Sequence, residues 1–243
     1  MSVIIFIGPC GEGKTSLAMA TVDDYINNRG AERWEFSEKV IRELNAERKQ
    51  PLNFPATLPV YSNTDFGIKN AFGNKVKPIP ITGAQIGVNN PADKKPKYAY
   101  LYPASLVLFD EAQTEFPSKV ELLPPDQQKF FTQRRHNDIE MIMIAPRGVF
   151  IHKDVRESGA VIIEVIKKTH VENIFGTVVQ TLWLCRKFEN NKDFEEFQSS
   201  NGKSGNYTQV IYSHRGDVYD YYDDHEYRKN FTPPEGKQYY EGN

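Results

Sequence analysis

Apolar and polar positions alternate along the chain in blocks that can be read as elements. Val3–Ile7 is an unbroken apolar run rich in β-branched residues, the pattern of a strand buried on both faces. A glycine-rich turn, Gly8–Gly13, follows directly. Leu17 to Ile26 then reads as a helix, stopped by Asn27-Asn28-Arg29-Gly30. Residues 32–48 predict a second helix, with Trp34, Val40, Ile41 and Leu44 as an apolar stripe among Glu, Lys and Arg. Leu58–Ser62 predicts a short strand leading to Asn63, and 64–104, rich in Gly, Pro, Asn and Lys, predicts mostly loops. Ser105–Asp110 and Ile139–Ala145 predict two more buried strands. Between them a helix is expected over Asp126–His136, after Pro124-Pro125.

Beyond residue 158 the pattern changes. Ala160–Val171, Thr177–Phe188 and Tyr207–His214 predict antiparallel strands, the first two joined by a turn at Glu172–Gly176. Residues 189–206 are charged and rich in Ser, Gly and Asn, and predict a loop. The tail from 215 is polar and carries Tyr219, Tyr221, Tyr222, Tyr227, Tyr239 and Tyr240. The fold class expected is α/β: a mostly parallel core sheet built from residues near 2–7, 58–62, 105–110 and 139–145, flanked by helices. The 160–214 strands either extend that sheet antiparallel or form a small β appendage.

Composition narrows the class without giving chemistry. A chain of 243 residues that is 39% hydrophobic has ample material for a core. No stretch approaches the roughly 20 apolar residues of a spanning helix. Met1-Ser2 runs into Val3 with no positively charged leader segment, and Cys10 and Cys185 match no disulfide framework or zinc spacing. The expectation is a cytosolic chain with reduced thiols. Thirty basic against 32 acidic side chains, a net charge of −2, argue against a nucleic-acid-coating protein while leaving room for a local basic patch.

The chemistry begins at Gly8-Pro9-Cys10-Gly11-Glu12-Gly13-Lys14-Thr15, which fits G-x-x-x-x-G-K-[ST] in full, with Ser16 next. Its fixed positions would arise by chance in roughly one chain of this length in a hundred. A buried strand before it and a helix after it make chance much rarer. Glycines let the backbone wrap phosphate oxygens and aim successive N–H groups inward, and the helix adds its positive end. Lys14 would reach the β- and γ-phosphates, and the Thr15 hydroxyl would sit on Mg²⁺. Leu106-Val107-Leu108-Phe109-Asp110-Glu111 supplies the second half. A strand ending in Asp110 delivers a carboxylate toward the Mg²⁺ shell, and Glu111 suits polarising a water for attack on the γ-phosphate. That adjacent acid points to hydrolysis rather than to a small-molecule kinase.

Arg134-Arg135-His136 ends the predicted helix before the third core strand. It is read either as positive charge offered to a neighbouring subunit's nucleotide or as a basic helix end opposing the macrodipole. Lys153 and Arg156 carry the same two readings. Lys94, Lys95 and Lys97 read as solvated loop charge, and His136 and His152 have no partners at metal-ligand spacing.

Together these residues resemble the zonular occludens toxin (Zot) family, which includes the gene I assembly protein of filamentous phages. The resemblance rests on Phe109-Asp110-Glu111-Ala112-Gln113, Phe116-Pro117-Ser118, Pro124-Pro125, Arg135-His136 with Asp138, His152-Lys153-Asp154-Val155-Arg156, and Val218-Tyr219-Asp220-Tyr221-Tyr222 with His225. It spans roughly residues 1–226, leaving 227–243 as a polar, tyrosine-rich tail. It implies a P-loop ATPase of the FtsK/HerA-like branch that uses ATP and Mg²⁺ and forms a homo-oligomeric ring. It further implies work at the inner face of the host inner membrane, powering virion assembly and extrusion beside phage coat protein, an outer-membrane channel and a packaged single-stranded DNA. Two other functions stay open: a genome-packaging or DNA-translocating ATPase of the same branch, and a nucleotide-dependent scaffold with little hydrolysis.

The sequence departs from the family in three places. The family's transmembrane helix and periplasmic tail are not among these residues, so either the ATPase portion of an anchored protein or a relative without an anchor is expected. Ile144-Ala145-Pro146 stands where the family places a glutamine that senses nucleotide, and the helix at 32–48 reads as an insertion.

Overall fold

The computed structural model describes residues 3–28, 30–46, 58–70, 72–88, 97–99 and 101–216. Eight strands form one sheet: β1 (Val3–Ile7), β2 (Val60–Ser62), β3 (Ile79–Pro80), β4 (Leu106–Phe109), β5 (Glu140–Ile144), β6 (Ala160–Glu172), β7 (Val178–Phe188) and β8 (Thr208–Arg215). Their spatial order is β3-β2-β4-β5-β1-β6-β7-β8. From β3 to β6 every pairing is parallel, and β7 and β8 close the sheet antiparallel. The expected mostly parallel α/β sheet is therefore present. Of the two arrangements open for the C-terminal strands, the sheet extension is the one adopted.

Period-two alternation gives the sheet two buried faces. On one, Phe6, Leu106, Leu108, Ile142 and Ile144 pack with Leu17, Ala18, Met19 and Val22 of helix α1 (Lys14–Asn27). On the other, Val3, Ile5, Ile7, Val107, Phe109, Met141 and Met143 pack under shorter helices. These are α3 (Ala112–Glu115), α4 (Pro125–Gln133), α5 (Lys153–Glu157) and α6 (Asn191–Ser199). Phe116 joins the two layers edge-on, 5.2 Å from Phe109 and 5.5 Å from Phe131.

Helix α2 (Gly30–Ala46) forms where one was expected, but turned about its axis. Its buried line is Arg33, Ser37 and Ile41, whereas Trp34 and Val40 are half-covered. The Leu44 side chain lies outside the described residues. Arg33 is the reason for the turn. Its guanidinium donates to the carbonyls of Ala104 (3.2 Å) and Asp138 (2.7 Å), and pairs with Asp138 (3.5 Å) and Glu140 (3.2 Å). It also stacks on Tyr25 at 4.7 Å. A buried cation with this many partners outweighs an apolar stripe, since leaving it unpaired would cost several kcal/mol. Burial raises the Tyr25 phenol to about 12, so it stays a donor, to Ala104 O.

Among the described residues of 64–104, β3 and a 3-10 turn at Gly83–Gln85 are the regular elements and the rest is irregular, as expected there. The 189–206 stretch is not a plain loop: α6 lies in it. The Asn190 side chain caps that helix by accepting from Asp193 N (2.9 Å). Phe194 and Phe197 anchor it against Phe188 at 5.5 and 5.3 Å. Two aromatics among charged residues were too sparse to read as a periodic face.

The β6–β7 hairpin is the longest feature. Ile7 pairs with Glu164, so β6 runs on from Val165 to Glu172 past the end of β1, roughly 25 Å at about 3.3 Å per residue. Asn173 builds its turn by accepting from Phe175 N (2.9 Å) and Thr177 N (3.0 Å), which holds Ile174 and Phe175 out in solvent. Among the described residues no helix is long and apolar enough to cross a membrane. The tyrosine-rich segment 218–222, His225, the 227–243 tail, Lys94 and Lys95 lie outside the described residues.

Candidate functional site

Parallel strands β1, β4 and β5 bring their carboxyl ends to one edge, and the crevice outside that edge is where α/β sheets bind ligands. β5 lies between β1 and β4, so the strand feeding the phosphate loop and the strand ending at Asp110 stand about 10 Å apart at ~4.8 Å per strand.

The loop from Gly8 to Gly13 turns by using backbone conformations that favour glycine. Gly8 has φ 145°, and a Cβ there would lie 2.5 Å from the carbonyl oxygen of Val165 on β6. Gly13 (φ 86°) caps α1, and its Cβ position is filled by Lys168 Cδ at 2.6 Å and Trp183 Nε1 at 3.0 Å. Helix α1 begins at Lys14, so its first N–H groups open onto the loop. The Ser16 hydroxyl donates to Gly13 O (2.9 Å) and accepts from Trp183 Nε1 (3.2 Å). Lys14 Nζ reaches back to Pro9 O at 3.4 Å. Pro9 and Cys10 are exposed, and Glu12 and Thr15 are half-buried beside them. The Cys185 thiol is buried and pushed up to about 12, which leaves Cys10 as the reactive cysteine of the two.

At the second strand, β4 is buried throughout and delivers a nearly buried Asp110. Asp110 is held by a residue that sequence reasoning passed over. The Asn63 amide, just past β2, accepts from Asp110 N (2.9 Å) and donates to Asp110 O (2.8 Å), adding a side-chain rung to the β2–β4 ladder. Asp110 Oδ1 then accepts from Glu111 N at 2.9 Å. Glu111 has φ 51°, a left-handed conformation that costs a non-glycine residue about 1–2 kcal/mol. Its carboxylate accepts from the Gln113 amide. Asn63, Thr64, Asp110, Glu111 and Thr114 line an open polar cavity of about 330 Å³.

The Arg134–Asn137 turn lies at the other end of the sheet, ahead of the start of β5. Arg134 is only 2% exposed, and its guanidinium donates to the carbonyls of Phe131 and Ser158. Burial, then the neighbouring Arg135, lowers it to about 10, so it remains charged at neutral pH. Arg135 and His136 are exposed. Arg156 is buried and ties α5 to α6 through Asn191 and Glu195 (2.7 Å), which holds the Glu195 carboxyl below its ordinary range. Lys153 pairs with Glu157 at 3.5 Å. His152 caps α5, accepting from Asp154 N at 3.2 Å. The carboxyl end of β5 carries Ala145, Pro146 and then an exposed Arg147. Neither an amide nor a hydroxyl stands there.

A family model described as zonular occludens toxin (Zot) matches residues 92–190. That segment includes Asp110, Glu111, Arg134, Arg135 and helix α5 with its cap His152. The Gly8–Thr15 loop lies outside it. No protein of curated function matches the chain. Among solved structures, the chain is similar to the N-terminal domain of zonular occludens toxin from Neisseria meningitidis, at 17% identity and TM-score 0.46, covering 91% of this chain and 98% of that one. It is also similar to the genome packaging NTPase of Sulfolobus turreted icosahedral virus 2 solved with ATP-gammaS, at 12% identity and TM-score 0.36, covering 89% of this chain and 98% of that one.

Proposed function

We propose that this chain is an ATP-hydrolysing motor of the Zot type that works on virion assembly and extrusion, with residues 1–226 as its ATPase domain. The observation that carries the hydrolase reading is the pairing of two halves on one sheet edge. The Gly8–Thr15 loop opens onto the start of α1, and Asp110-Glu111 is presented from β4. The virion-assembly role is supported by the match over residues 92–190 and is the finer part of the proposal.

Lys14, released from Pro9 O, would pair with the β- and γ-phosphate oxygens while the loop amides hold the rest of the triphosphate. Thr15 and Asp110 provide one hydroxyl and one carboxylate, hard oxygen donors that suit Mg²⁺, an ion that keeps several waters and completes its shell with phosphate oxygens. Bound there, Mg²⁺ would supply positive charge against the γ-phosphate. Glu111 would accept a hydrogen bond from a water whose oxygen attacks the γ-phosphorus. The bond to the β–γ bridging oxygen then breaks and Glu111 takes the water's proton, giving ADP and inorganic phosphate.

Alkylation of Cys10 together with turnover tests this. ATP is expected to slow alkylation in the native chain and in Glu111→Gln, but not in Lys14→Ala. Glu111→Gln should lose hydrolysis by about 100-fold or more, the scale of a lost general base. Cys10 alkylated equally fast with and without ATP would remove the nucleotide reading. Protection with unchanged turnover in Glu111→Gln would remove the assigned role of Glu111. Protection without measurable turnover in the native chain would favour a nucleotide-dependent scaffold.

A further inference from the structure

The phosphate loop touches a partner from the far end of the chain. Trp183, on β7, is fully buried, and its indole N–H donates to Ser16 Oγ across 167 residues of sequence. Opposite it on β6 in the strand register is Lys168, whose Cδ occupies the space beside Gly13. The bulge between Val165 and Lys167 puts the carbonyl of Val165 against Gly8 just before this point. The hairpin therefore seats on the loop at both of its ends, Gly8 and Gly13.

The Trp183 bond has a chemical direction. An indole N–H can only donate, while a serine hydroxyl has one proton and two acceptor lone pairs. With Trp183 donating in, the Ser16 proton is left to point elsewhere, and it points to Gly13 O at 2.9 Å, the carbonyl that caps α1. A phosphate oxygen entering the loop is a stronger, charged acceptor than that carbonyl. The proton can swing to it without breaking the Trp183 bond.

We infer that Trp183 is a positioning residue for the nucleotide: by donating to Ser16 Oγ it holds that hydroxyl as a ready donor to a phosphate oxygen. This rests on the nucleotide reading above and goes beyond it, because it assigns a role in binding to the β6–β7 hairpin. The same bond fixes the first turn of α1, so the hairpin and the loop shift together.

A double-mutant cycle on the full chain separates this from plain core packing. ADP affinity is measured by calorimetry in the native chain, Trp183→Phe, Ser16→Ala and the double variant. Trp183→Phe keeps the ring in the core and deletes the N–H, and is expected to weaken ADP about threefold to tenfold, the worth of one directed hydrogen bond. In the Ser16→Ala background the same change should weaken ADP by less than about twofold, because the atom it acts through is gone. Equal weakening in both backgrounds would overturn the inference, as would none in either. A native chain that binds no ADP would overturn the nucleotide reading and this inference with it. A native chain that binds with an additive cycle would overturn this inference alone.

Trp34 and Trp183 are the only tryptophans, so Trp34→Phe leaves Trp183 as the sole indole emitter and gives a readout without touching the site. Its emission should change with ADP along the calorimetric isotherm. Constant emission through saturation would count against the proton switch beside it.

Discussion

A single amide decides how Asp110 is presented. Asn63 exchanges two hydrogen bonds with the Asp110 backbone, 2.9 and 2.8 Å, at the point where the β2–β4 ladder has run out of backbone partners. Removing it takes both of these hydrogen bonds from the Asp110 backbone at the rim of a buried strand. Two hydrogen bonds at about 0.5–1.5 kcal/mol each come to about 1–3 kcal/mol. Asn63→Ala is therefore expected to lower the melting temperature by a few degrees, at about 2–4 °C per kcal/mol for a chain of this size. Turnover should fall more than nucleotide affinity, because the loop and Lys14 are untouched while Asp110 and Glu111 lose their aim. Thermal unfolding beside kcat and KM checks both parts. An affinity loss as large as the kcat loss would mean that Asn63 supports the whole crevice rather than the acidic pair. Glu111 carries the opposite signature, a left-handed backbone retained at a stability cost, and strain of this kind gathers at working sites.

At the scale of elements, the same amino acid type plays two parts in the phosphate loop. Gly11 (φ 85°) has open space where a Cβ would go, so Gly11→Ala should cost only its left-handed backbone, about 1–2 kcal/mol. Gly8 faces the backbone carbonyl of Val165 at 2.5 Å, and neither β1 nor β6 can move aside within a paired sheet. Gly8→Ala should therefore destabilise clearly more than Gly11→Ala in urea unfolding. Equal losses would mean that the β6 bulge gives way. The contrast also marks what sequence could convey. Local patterns carried β1, β4, β5 and the C-terminal strands, and the loop motif carried the glycine-rich turn from β1 into α1. Contacts between distant segments left no local trace: Val165 against Gly8, Trp183 on Ser16, and Asn63 on Asp110. Helix α2 was legible as a helix but not in its buried face, because its core residue is an arginine whose partners, Ala104, Asp138 and Glu140, lie more than 70 residues ahead. Helix α6 was missed because its cap and two phenylalanines act through Phe188 rather than through a repeating stripe.

Across the whole molecule, the two arginines of the sequence motif and the phosphate loop sit at opposite ends of the sheet. The Arg134–Asn137 turn precedes β5, and the loop follows β1, which runs parallel to it. A strand of this length separates the two edges by roughly 15 Å at about 3.3 Å per residue. Neither arginine can therefore serve the nucleotide of its own chain, and any contribution must come from a second copy. Arg134 has its guanidinium on the carbonyls of Phe131 and Ser158 inside the fold, whereas Arg135 is exposed beside Ser158. The candidate for a charge reaching a neighbour's γ-phosphate is thus Arg135, with Arg134 holding the turn in place. Mixing two inactive chains tests this directly. Arg135→Ala keeps its own site but lacks the donated charge, and Lys14→Ala lacks the site but keeps Arg135. Each alone is expected to hydrolyse ATP at a small fraction of the native rate. Their mixture should recover part of the activity in proportion to contacts between unlike chains, and the recovery should rise with total protein concentration. Arg134→Ala should instead lower the melting temperature and gain nothing from the Lys14→Ala chain. If the mixture stays at the sum of its parts while the native chain shows concentration-dependent turnover, the charge crossing the interface belongs to another residue. The exposed Arg147, at the carboxyl end of β5, would then be the next position to substitute.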